Sequence, residues 1–374
     1  MNIAFGATVM ARGVDQGHMD GIGHYSQELL SGLQGLNTTL VPVVFGPCQQ
    51  TQLAGLPVHM APRFKGQALW SVLTGMPGPG FAAIAQKADL FFAPDHYIPR
   101  TRRMPVVATI HDAVPLSHPQ WVSGRMRALK NLIIRQSGHW AQHVLTVSAF
   151  SKQEIVRHYG IPESRITVTY AGVDARYFER LNEPLRRAVR QRHGLSDQFF
   201  LFVGTFQPRK NIERILQAHQ ALPEALRQAC PLVIVGRPGW SCEALVAQLQ
   251  DLSGDRRVRW LRDVDDDDKR ALMQSATALV FPTLFEGFGL PVLEGFASQT
   301  PVITSNVSSL PEVAGDGAWL VDPLQVPQIT EAMATLARED GERARLVALG
   351  LKRARQFTWQ DCAARTLQAF KALR

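Results

Sequence analysis

The chain has few cysteines, no long apolar run and no segment rich in Lys and Arg. Its cysteines lie too far apart for metal-ligand spacing, which indicates reduced thiols in a cytoplasmic protein; they are Cys48, Cys230, Cys242 and Cys362. The sequence contains no run of about 18 apolar residues, which excludes a membrane-spanning helix. The first residues lack a basic segment followed by an apolar one, so we expect no secretion signal.

Positive charge is unevenly distributed along the 374 residues. The net charge is +8, and residues 1–190 hold 19 Lys and Arg against 11 Asp and Glu, so the first half carries the whole excess. This asymmetry favours contact with an acidic partner, either an anionic membrane or a phosphate-bearing acceptor. A charged surface that serves only solubility is the alternative. The absence of a basic run or of a basic-aromatic repeat argues against nucleic acid as a partner.

Short apolar strands alternate with helical patterns through both halves of the chain. This alternation predicts an α/β fold with two doubly wound parallel sheets that face each other across a cleft. The expected strands are residues 2–8, 39–45, 89–93, 105–110, 143–147 and 165–170, then 199–204, 231–236, 258–261, 278–282, 301–304 and 318–321. We predict one domain over residues 1–182, a second over 183–357, and a closing helix over 358–374 that packs back on the first domain.

The strongest motif is the segment 285–295, FEGFGLPVLEG, which follows a buried strand. Pro291 suits the first turn of a helix, and the glycines leave backbone amides accessible, so the segment predicts an anion site at a helix start. Glu294, one turn inside, can bind the hydroxyls of a ribose, and Glu286 can bind those of a sugar. The alternative is a surface acid that compensates the helix dipole, beside ordinary turn glycines.

A second motif, residues 203–211, also follows a buried strand. Arg209 and Lys210 stand where the next helix begins, and cations there oppose the helix dipole unless an anion lies between them. A diphosphate is such an anion, and an Arg side chain can bind it with two hydrogen bonds. A solvated basic turn is the alternative.

Two weaker signals occur in the first half. Gly21 and Gly23 lie between the first strand and its helix and can contact phosphate, although the third glycine of a dinucleotide fingerprint is replaced by Ser26. His111 ends a strand, where we expect it to face the cleft with Asp112 or a backbone carbonyl orienting it. A purely structural histidine is the alternative.

These motifs, in this order, resemble the family-4 retaining glycosyltransferases, which have the GT-B fold. The resemblance spans most of the chain and extends to residues 147–152, 170–174 and 310–312. Within the group, the segments around Lys210 and His111 are similar to mannosyl- and rhamnosyltransferases of bacterial surface polysaccharides. The resemblance implies an acceptor-side first domain and a second domain that binds a nucleotide sugar.

The same resemblance implies roles for individual residues. It assigns the donor's diphosphate to Lys210, the ribose to Glu294 and the sugar ring to Glu286. It places further donor contacts at the backbone of Val264, at Gly21 and Gly23, and at the amides of Phe288, Gly289 and Leu290. His111 would lie near the transferred sugar, and both His111 and Glu286 would act in catalysis. Many members have Arg where this chain has Thr205, and Arg209 is our candidate for the missing cation.

The implied reaction transfers a hexose from a nucleotide sugar to a lipid-linked or polysaccharide acceptor, with retention of the anomeric configuration. The expected hexose is mannose or rhamnose, and the expected donor is a GDP-sugar. We expect no cofactor and no metal. The run from Asp263 to Asp265 matches a metal-binding DxD pattern, but its position at a helix start favours a capping turn. A UDP-sugar donor and a sugar-nucleotide epimerase are the alternative enzymes, and the incomplete glycine fingerprint disfavours a nicotinamide oxidoreductase.

The acceptor side has a mixed basic and aromatic segment, residues 62–70, before a Pro/Gly-rich turn at 76–80. We interpret it as a loop that faces the cytoplasmic membrane, so the protein is expected in the cytoplasm with peripheral contact at the inner face. Four further cations decorate another predicted helix without forming one stripe: Arg125, Arg127, Lys130 and Arg135. An ordinary solvated helix face is the alternative there.

Overall fold

The computed structural model describes residues 1–78, 84, 88–121 and 127–373. Arg125 and the end of the predicted turn at 76–80 lie outside these residues. The chain divides into two compact units: residues 1–172 with 358–374, and residues 173–357. Among the described residues, no helix is both long enough and apolar enough to cross a membrane.

The first unit is built on a seven-stranded parallel sheet with the order β5-β2-β1-β6-β7-β8-β9. Its central strands are fully buried, as expected for a sheet covered on both faces. The strands are β1 Asn2–Gly6, β2 Thr39–Phe45, β5 His59–Ala61, β6 Leu90–Ala93, β7 Val106–Thr109, β8 His143–Thr146 and β9 Ile166–Val168, with a separate antiparallel pair, β3 Gln52–Leu53 and β4 Leu56–Pro57.

The helices of the first unit begin and end on local signals. The Asp20 carboxylate accepts from the Gly23 amide and Ser148 Oγ from the Ser151 amide, so both side chains cap a helix start. Gly160 ends one helix with φ of 73°, a conformation that glycine adopts without strain. The helices are α1 Thr8–Asp15, α2 Gly21–Gln34, α3 Phe64–Thr74, α4 Val114–Ser117, α5 Arg127–Trp140 and α6 Ala149–Tyr159.

Two predictions about this unit were wrong. The first strand ends at Gly6 rather than at residue 8, because Thr8 begins α1 and its hydroxyl accepts a hydrogen bond from the Phe45 amide. The segment expected to be a loop is instead largely α3, which buries Ala68 and Ser71 against the unit. Its expected contact with a membrane stays a prediction. The glycine at position 66 does not interrupt this helix, because burial of one face outweighs glycine's low helix propensity.

The second unit is built on a six-stranded parallel sheet with the order β12-β11-β10-β13-β14-β15. The strands are β10 Phe200–Val203, β11 Leu232–Val235, β12 Val258–Leu261, β13 Ala278–Phe281, β14 Val302–Ser305 and β15 Trp319–Val321. The helices are α7 Glu183–Arg192, α8 Ile212–Gln220, α9 Glu224–Ala229, α10 Glu243–Asp251, α11 Asp266–Ser275, α12 Leu290–Ala297, α13 Leu310–Ala314, α14 Val326–Arg338 and α15 Asp340–Ala354.

The boundary between the units lies at residues 172 and 173, not at 182 and 183 as predicted. The segment after residue 173 belongs to the second unit because Gln274 of α11 holds it. The Gln274 side chain donates to the Glu179 carbonyl at 2.9 Å and accepts from the Leu181 amide at 2.9 Å. These are long-range side-chain contacts that no local pattern predicts.

The last helix, α16 Trp359–Lys371, belongs to the first unit, where it packs against α2. The Trp359 ring lies 5.7 Å from that of Tyr25, and the Phe370 ring lies 5.0 Å from that of Phe92. All four side chains are buried. The residues at the end of the sequence therefore complete the core that the first residues begin.

Candidate active site

Two cations and one carboxylate of the second unit form a buried cluster. Lys210 Nζ lies 2.7 Å from Glu286 Oε1, and Arg209 Nη1 lies 2.7 Å from Glu286 Oε2. Arg209 Nη1 also donates to the Phe285 carbonyl at 3.0 Å. The structure thus brings the two predicted motifs together, although they are more than seventy residues apart in sequence.

The turn that carries the cations is fixed from several sides. Residues Pro208–Lys210 follow β10 as a short 3-10 turn, and Asn211 has φ of 61°. Its side-chain amide donates to the carbonyls of Pro282 and Pro323, each at 2.8 Å, so the turn is tied to the ends of β13 and β15. The Leu284 amide donates to the Arg209 carbonyl at 2.8 Å. Hydrogen bonds therefore hold both cations in place before any ligand binds.

The electrostatics of the cluster favour an ionised Glu286. Burial by itself raises the pKa of Glu286, but Arg209 and Lys210 outweigh it and hold the pKa below its ordinary value. Lys210 Nζ also lies 4.9 Å from the centre of the Phe281 ring, a cation–π contact. Two cations therefore meet at one carboxylate in a largely buried place, and cations gathered in this way favour an anionic ligand.

The segment after Glu286 forms the start of α12. Gly289 has φ of 111°, and a Cβ atom there would lie 2.7 Å from Leu310 Cδ2, so glycine is needed both for the backbone and for packing. Ser309 Oγ donates to the carbonyls of Glu286 and Phe288, each at 2.9 Å. In the described part of the chain, no side chain caps this helix. Phe288, Gly289 and Leu290 thus lead into a helix start of the kind that binds anions.

Glu294 lies one turn inside α12 and is half-buried. Glu294 acts electrostatically on Tyr177 and Lys269, which the sequence did not indicate as site residues. Burial lowers the pKa of Lys269, but Glu294, Tyr177 and Asp266 together outweigh burial and raise it. Burial raises the pKa of Tyr177, and Glu294 raises it further. Lys269 forms an ion pair with Asp266 at 3.0 Å. The i,i+3 spacing of these two residues is a local sequence pattern that predicts this ion pair, but it does not predict the proximity of Lys269 to the site.

Val264 lies in the connection between β12 and α11. The carboxylates on either side of it are engaged: Asp263 pairs with Arg237 at 2.9 Å, and Asp265 accepts from the Asp268 amide at 2.7 Å. The predicted capping turn is confirmed, because Asp265 is the N-cap of α11. Within the described ranges, His, Cys, Asp and Glu side chains form no group of three or more that could hold a metal ion.

In the first unit, His111 follows β7 and is oriented by the backbone. Its Nε2 atom lies 2.9 Å from the Pro94 carbonyl, which can only accept, so Nε2 carries the proton. Burial lowers the pKa of His111, and the neutral ring therefore keeps Nδ1 as an acceptor. Of the two expected orienting groups the carbonyl is the one that acts, since Asp112 accepts instead from the Val114 amide at 3.0 Å.

Gly21 and Gly23 form the first turn of α2 rather than a loop. The Gly23 amide donates to the Asp20 carboxylate at 2.8 Å, and a Cβ at this position would lie 2.5 Å from Met19 Cγ. A Cβ at Gly21 would meet no atom within 4 Å. Packing on Met19 thus explains the glycine at 23. Two residues later, the Tyr25 ring meets the His111 ring edge-on at 4.7 Å, which connects α2 to the histidine.

Two units, each with a parallel sheet covered by helices, have the architecture of the GT-B fold. The fold is similar to that of Anabaena HepE, solved in complex with UDP and glucose, with a TM-score of 0.77 over 100% of both chains at 16% identity.

The family is shown by two family models and one close relative. The model of glycosyltransferase family 4 matches residues 19–177, and that of the group 1 glycosyl transferases matches residues 186–353. O-antigen chain mannosyltransferase B of Escherichia coli is 35% identical over 289 residues, 77% of this chain and 75% of that protein. O-antigen chain mannosyltransferase RfbU of Salmonella typhimurium is 29% identical over 228 residues, 61% of this chain and 59% of that protein. The chain belongs to the family 4, group 1 glycosyltransferases.

Proposed function

We propose that this glycosyltransferase moves mannose from GDP-mannose to a lipid-linked glycan in the synthesis of a bacterial surface polysaccharide. The observation that carries the proposal is the buried cluster of Arg209, Lys210 and Glu286 beside the start of α12. The choice of mannose and of a surface glycan rests on the names of the two O-antigen relatives.

In the proposed binding mode, Arg209 and Lys210 exchange part of their contact with Glu286 for contact with the donor's diphosphate. A donor diphosphate near α12 would share Arg209 and Lys210 with Glu286, with further contacts from the amides of Phe288, Gly289 and Leu290. Glu286 would then turn toward the hydroxyls of the sugar, while Glu294 would bind the ribose and the Val264 backbone the base. Stabilisation of the departing diphosphate by a key donor of this kind contributes roughly 3–4 kcal/mol to catalysis.

His111 supplies a neutral acceptor on the first unit. With Nε2–H bound to the Pro94 carbonyl, its Nδ1 atom can accept a hydrogen bond from a hydroxyl of the transferred sugar. We assign it a catalytic role because the developing positive charge on the sugar is stabilised by a well-positioned lone pair. Gly21 and Gly23 are assigned to the donor's diphosphate, with Gly21 the more exposed of the two.

We further propose that the reaction retains the anomeric configuration and needs no metal. Arg209 and Lys210 would neutralise the leaving diphosphate, the work that a metal ion does in other transferases. The acceptor hydroxyl would attack from the face that the diphosphate leaves, and the diphosphate would take its proton. The protein would work in the cytoplasm, in peripheral contact with the inner face of the membrane.

The test is transfer from a panel of GDP- and UDP-sugars to a lipid-linked glycan, with the product's anomeric configuration read by NMR. We expect an α-linked mannose from GDP-mannose, in the presence of a chelator. The variant Lys210→Met should lower transfer by about 10³-fold, whereas Lys352→Met, an exposed cation on α15, should not. Transfer from UDP-sugars alone would overturn the donor, and formation of an epimer without acceptor would overturn the reaction class.

A further inference from the structure

Helix α3 of the first unit exposes apolar side chains. Gln67, Ala68 and Ser71 are buried, whereas 51% of Trp70 and 75% of Leu73 are exposed. Leu69 and Met76 are exposed as well. A surface helix ordinarily exposes a polar face, whereas the exposed side of α3 includes several large apolar side chains. Contiguous exposed apolar side chains of this kind mark an interaction surface.

Helix α5 lies beside α3 and adds positive charge. The two helices pack together, and Trp140 of α5 lines one small cavity with Phe64 and Gln67 of α3. Lys130 and Arg135 of α5 are exposed, as are Lys65 at the start of α3 and Leu132 on α5. We call the exposed side chains of these two helices the α3–α5 face.

The sequence around this face contains no acidic residue. No Asp or Glu occurs between Glu28 and Asp89, nor between Asp112 and Glu154, and these two stretches contain both helices. Every ionisable carboxylate of the unit therefore lies outside the segments that form the face. Most protein surfaces intersperse both signs of charge, and a face of one sign attracts a partner of the other.

We propose that the α3–α5 face docks on an anionic lipid bilayer. Trp70 and Leu73 would enter the boundary between headgroups and acyl chains, where tryptophan is favoured, while Lys65, Lys130 and Arg135 contact lipid phosphates. An apolar centre with cations and no acids matches a bilayer surface, because the bilayer has an apolar interior beneath negatively charged phosphates. The proposal rests on the proposed function in that the acceptor is lipid-linked, and it names the surface that brings the enzyme to that acceptor.

The test is co-sedimentation of the full chain with two kinds of vesicle: phosphatidylcholine alone, and phosphatidylcholine with about one-third phosphatidylglycerol. We expect binding to the anionic vesicles at least about tenfold tighter than to the neutral ones, weakened by salt. The double variant Trp70→Ser, Leu73→Ser should lose about tenfold or more in vesicle affinity. The matched control Leu185→Ser, Leu324→Ser replaces apolar side chains of the second unit that are also exposed, and it should bind as the unchanged chain does.

Three outcomes would overturn the proposal: equal binding to both vesicles, no binding to either, or unchanged binding by the Trp70 and Leu73 variant. Dimerisation that the same variant abolishes, without vesicle binding, would assign the face to a second copy instead. GDP binding, measured by calorimetry, separates this failure from failure of the proposed function. A chain that binds GDP but no vesicle contradicts the membrane face alone, whereas one that binds vesicles but no GDP contradicts the proposed function alone.

Discussion

The second unit buries a cluster of paired charges at its candidate site, whereas the first unit has a neutral histidine there and an excess of cations along its sequence. The second unit has 23 Lys and Arg and 23 Asp and Glu, and its Lys210 and Glu286 are 8% and 7% exposed. The first unit has 17 Lys and Arg against 9 Asp and Glu, and the residue we assign to catalysis there, His111, is held neutral. The same arrangement of strands and helices therefore supports two different kinds of site.

This difference has a physical reason. A diphosphate needs cations that are already in place, and a buried ion pair holds two cations without the cost of isolated charges. A sugar that gains positive charge needs an acceptor that does not repel it, and a neutral imidazole fixed by a carbonyl meets that need. A unit that recognises an acidic partner from outside needs charge at its surface. The comparison predicts separable effects of mutations in the two units.

The largest effect is expected from Glu286→Gln in the second unit. Arg209 and Lys210 would lose their carboxylate while still buried, so the free energy of unfolding should fall by about 3 kcal/mol. Transfer should fall by about 10³-fold, yet GDP should bind at least as tightly, because both cations lose a competing partner. Urea unfolding, transfer rates and calorimetry measure the three quantities, with the exposed Glu331→Gln as control. Weaker GDP binding would refute the exchange of partners.

A smaller effect is expected from His111→Ala in the first unit. Loss of the positioned acceptor should lower kcat by about 10²-fold and leave GDP affinity unchanged. His143→Ala is the matched control, since His143 lies in the same sheet and also has its pKa lowered by burial, but stands at the start of its strand. Steady-state kinetics and calorimetry distinguish the two variants. An unchanged kcat in His111→Ala would leave this histidine a structural role.

The variant Glu294→Ala sharpens the comparison within the second unit. It removes a carboxylate assigned to ribose without disturbing the cluster around Glu286, so we expect GDP affinity to fall by about 1–3 kcal/mol. The free energy of unfolding should fall by less than in Glu286→Gln, because Lys269 loses the attraction of Glu294 but keeps its ion pair with Asp266. Calorimetry with GDP, and with its 2′-deoxy form, measures the effect. If both ligands lose the same affinity on mutation, the ribose assignment is wrong.

The smallest effect concerns pH and a histidine of the second unit. Burial lowers the pKa of His219 to about 4, against the pull of its hydrogen bond to the Cys230 carbonyl. The unfolded chain binds this proton near pH 6.5, so stability is lost as pH falls through the window between these values. At about pH 5.5 we expect a loss on the order of 1 kcal/mol, which His219→Gln should remove. A variant with the same acid dependence as the unchanged chain would contradict this origin.

The sequence predicted all six strands of the second sheet and six of the seven strands of the first, because buried parallel strands are continuous apolar runs. The edge strand β5, His59–Ala61, was missed because it is short and only partly buried. Strands β10, β11 and β13 agree with their predicted positions to within two residues at each end. It also predicted which motifs follow which strands. Local pattern failed at α3, which contains a glycine and exposes several of its apolar side chains, so its apolar residues do not mark the buried face.

The sequence predicted which residues belong to the candidate site, but not which of them contact one another. Lys210 and Glu286 both carried local signals, yet their ion pair joins elements 76 residues apart. The contact of His111 with the Pro94 carbonyl depends on the order of strands β6 and β7, which sequence spacing does not fix. Lys269 and Tyr177 were missed for the same reason, because tertiary packing alone brings them near Glu294.

The return of α16 to the first unit sets an order for synthesis on the ribosome. Residues 173–357 form a continuous unit that can fold as soon as they emerge. The first unit, although translated earlier, has to wait, since Tyr25 and Phe92 are covered by Trp359 and Phe370. Until α16 has been synthesised, Tyr25 and Phe92 lack the rings of Trp359 and Phe370 that pack against them. The core of the first unit is therefore completed only after the second unit has been translated.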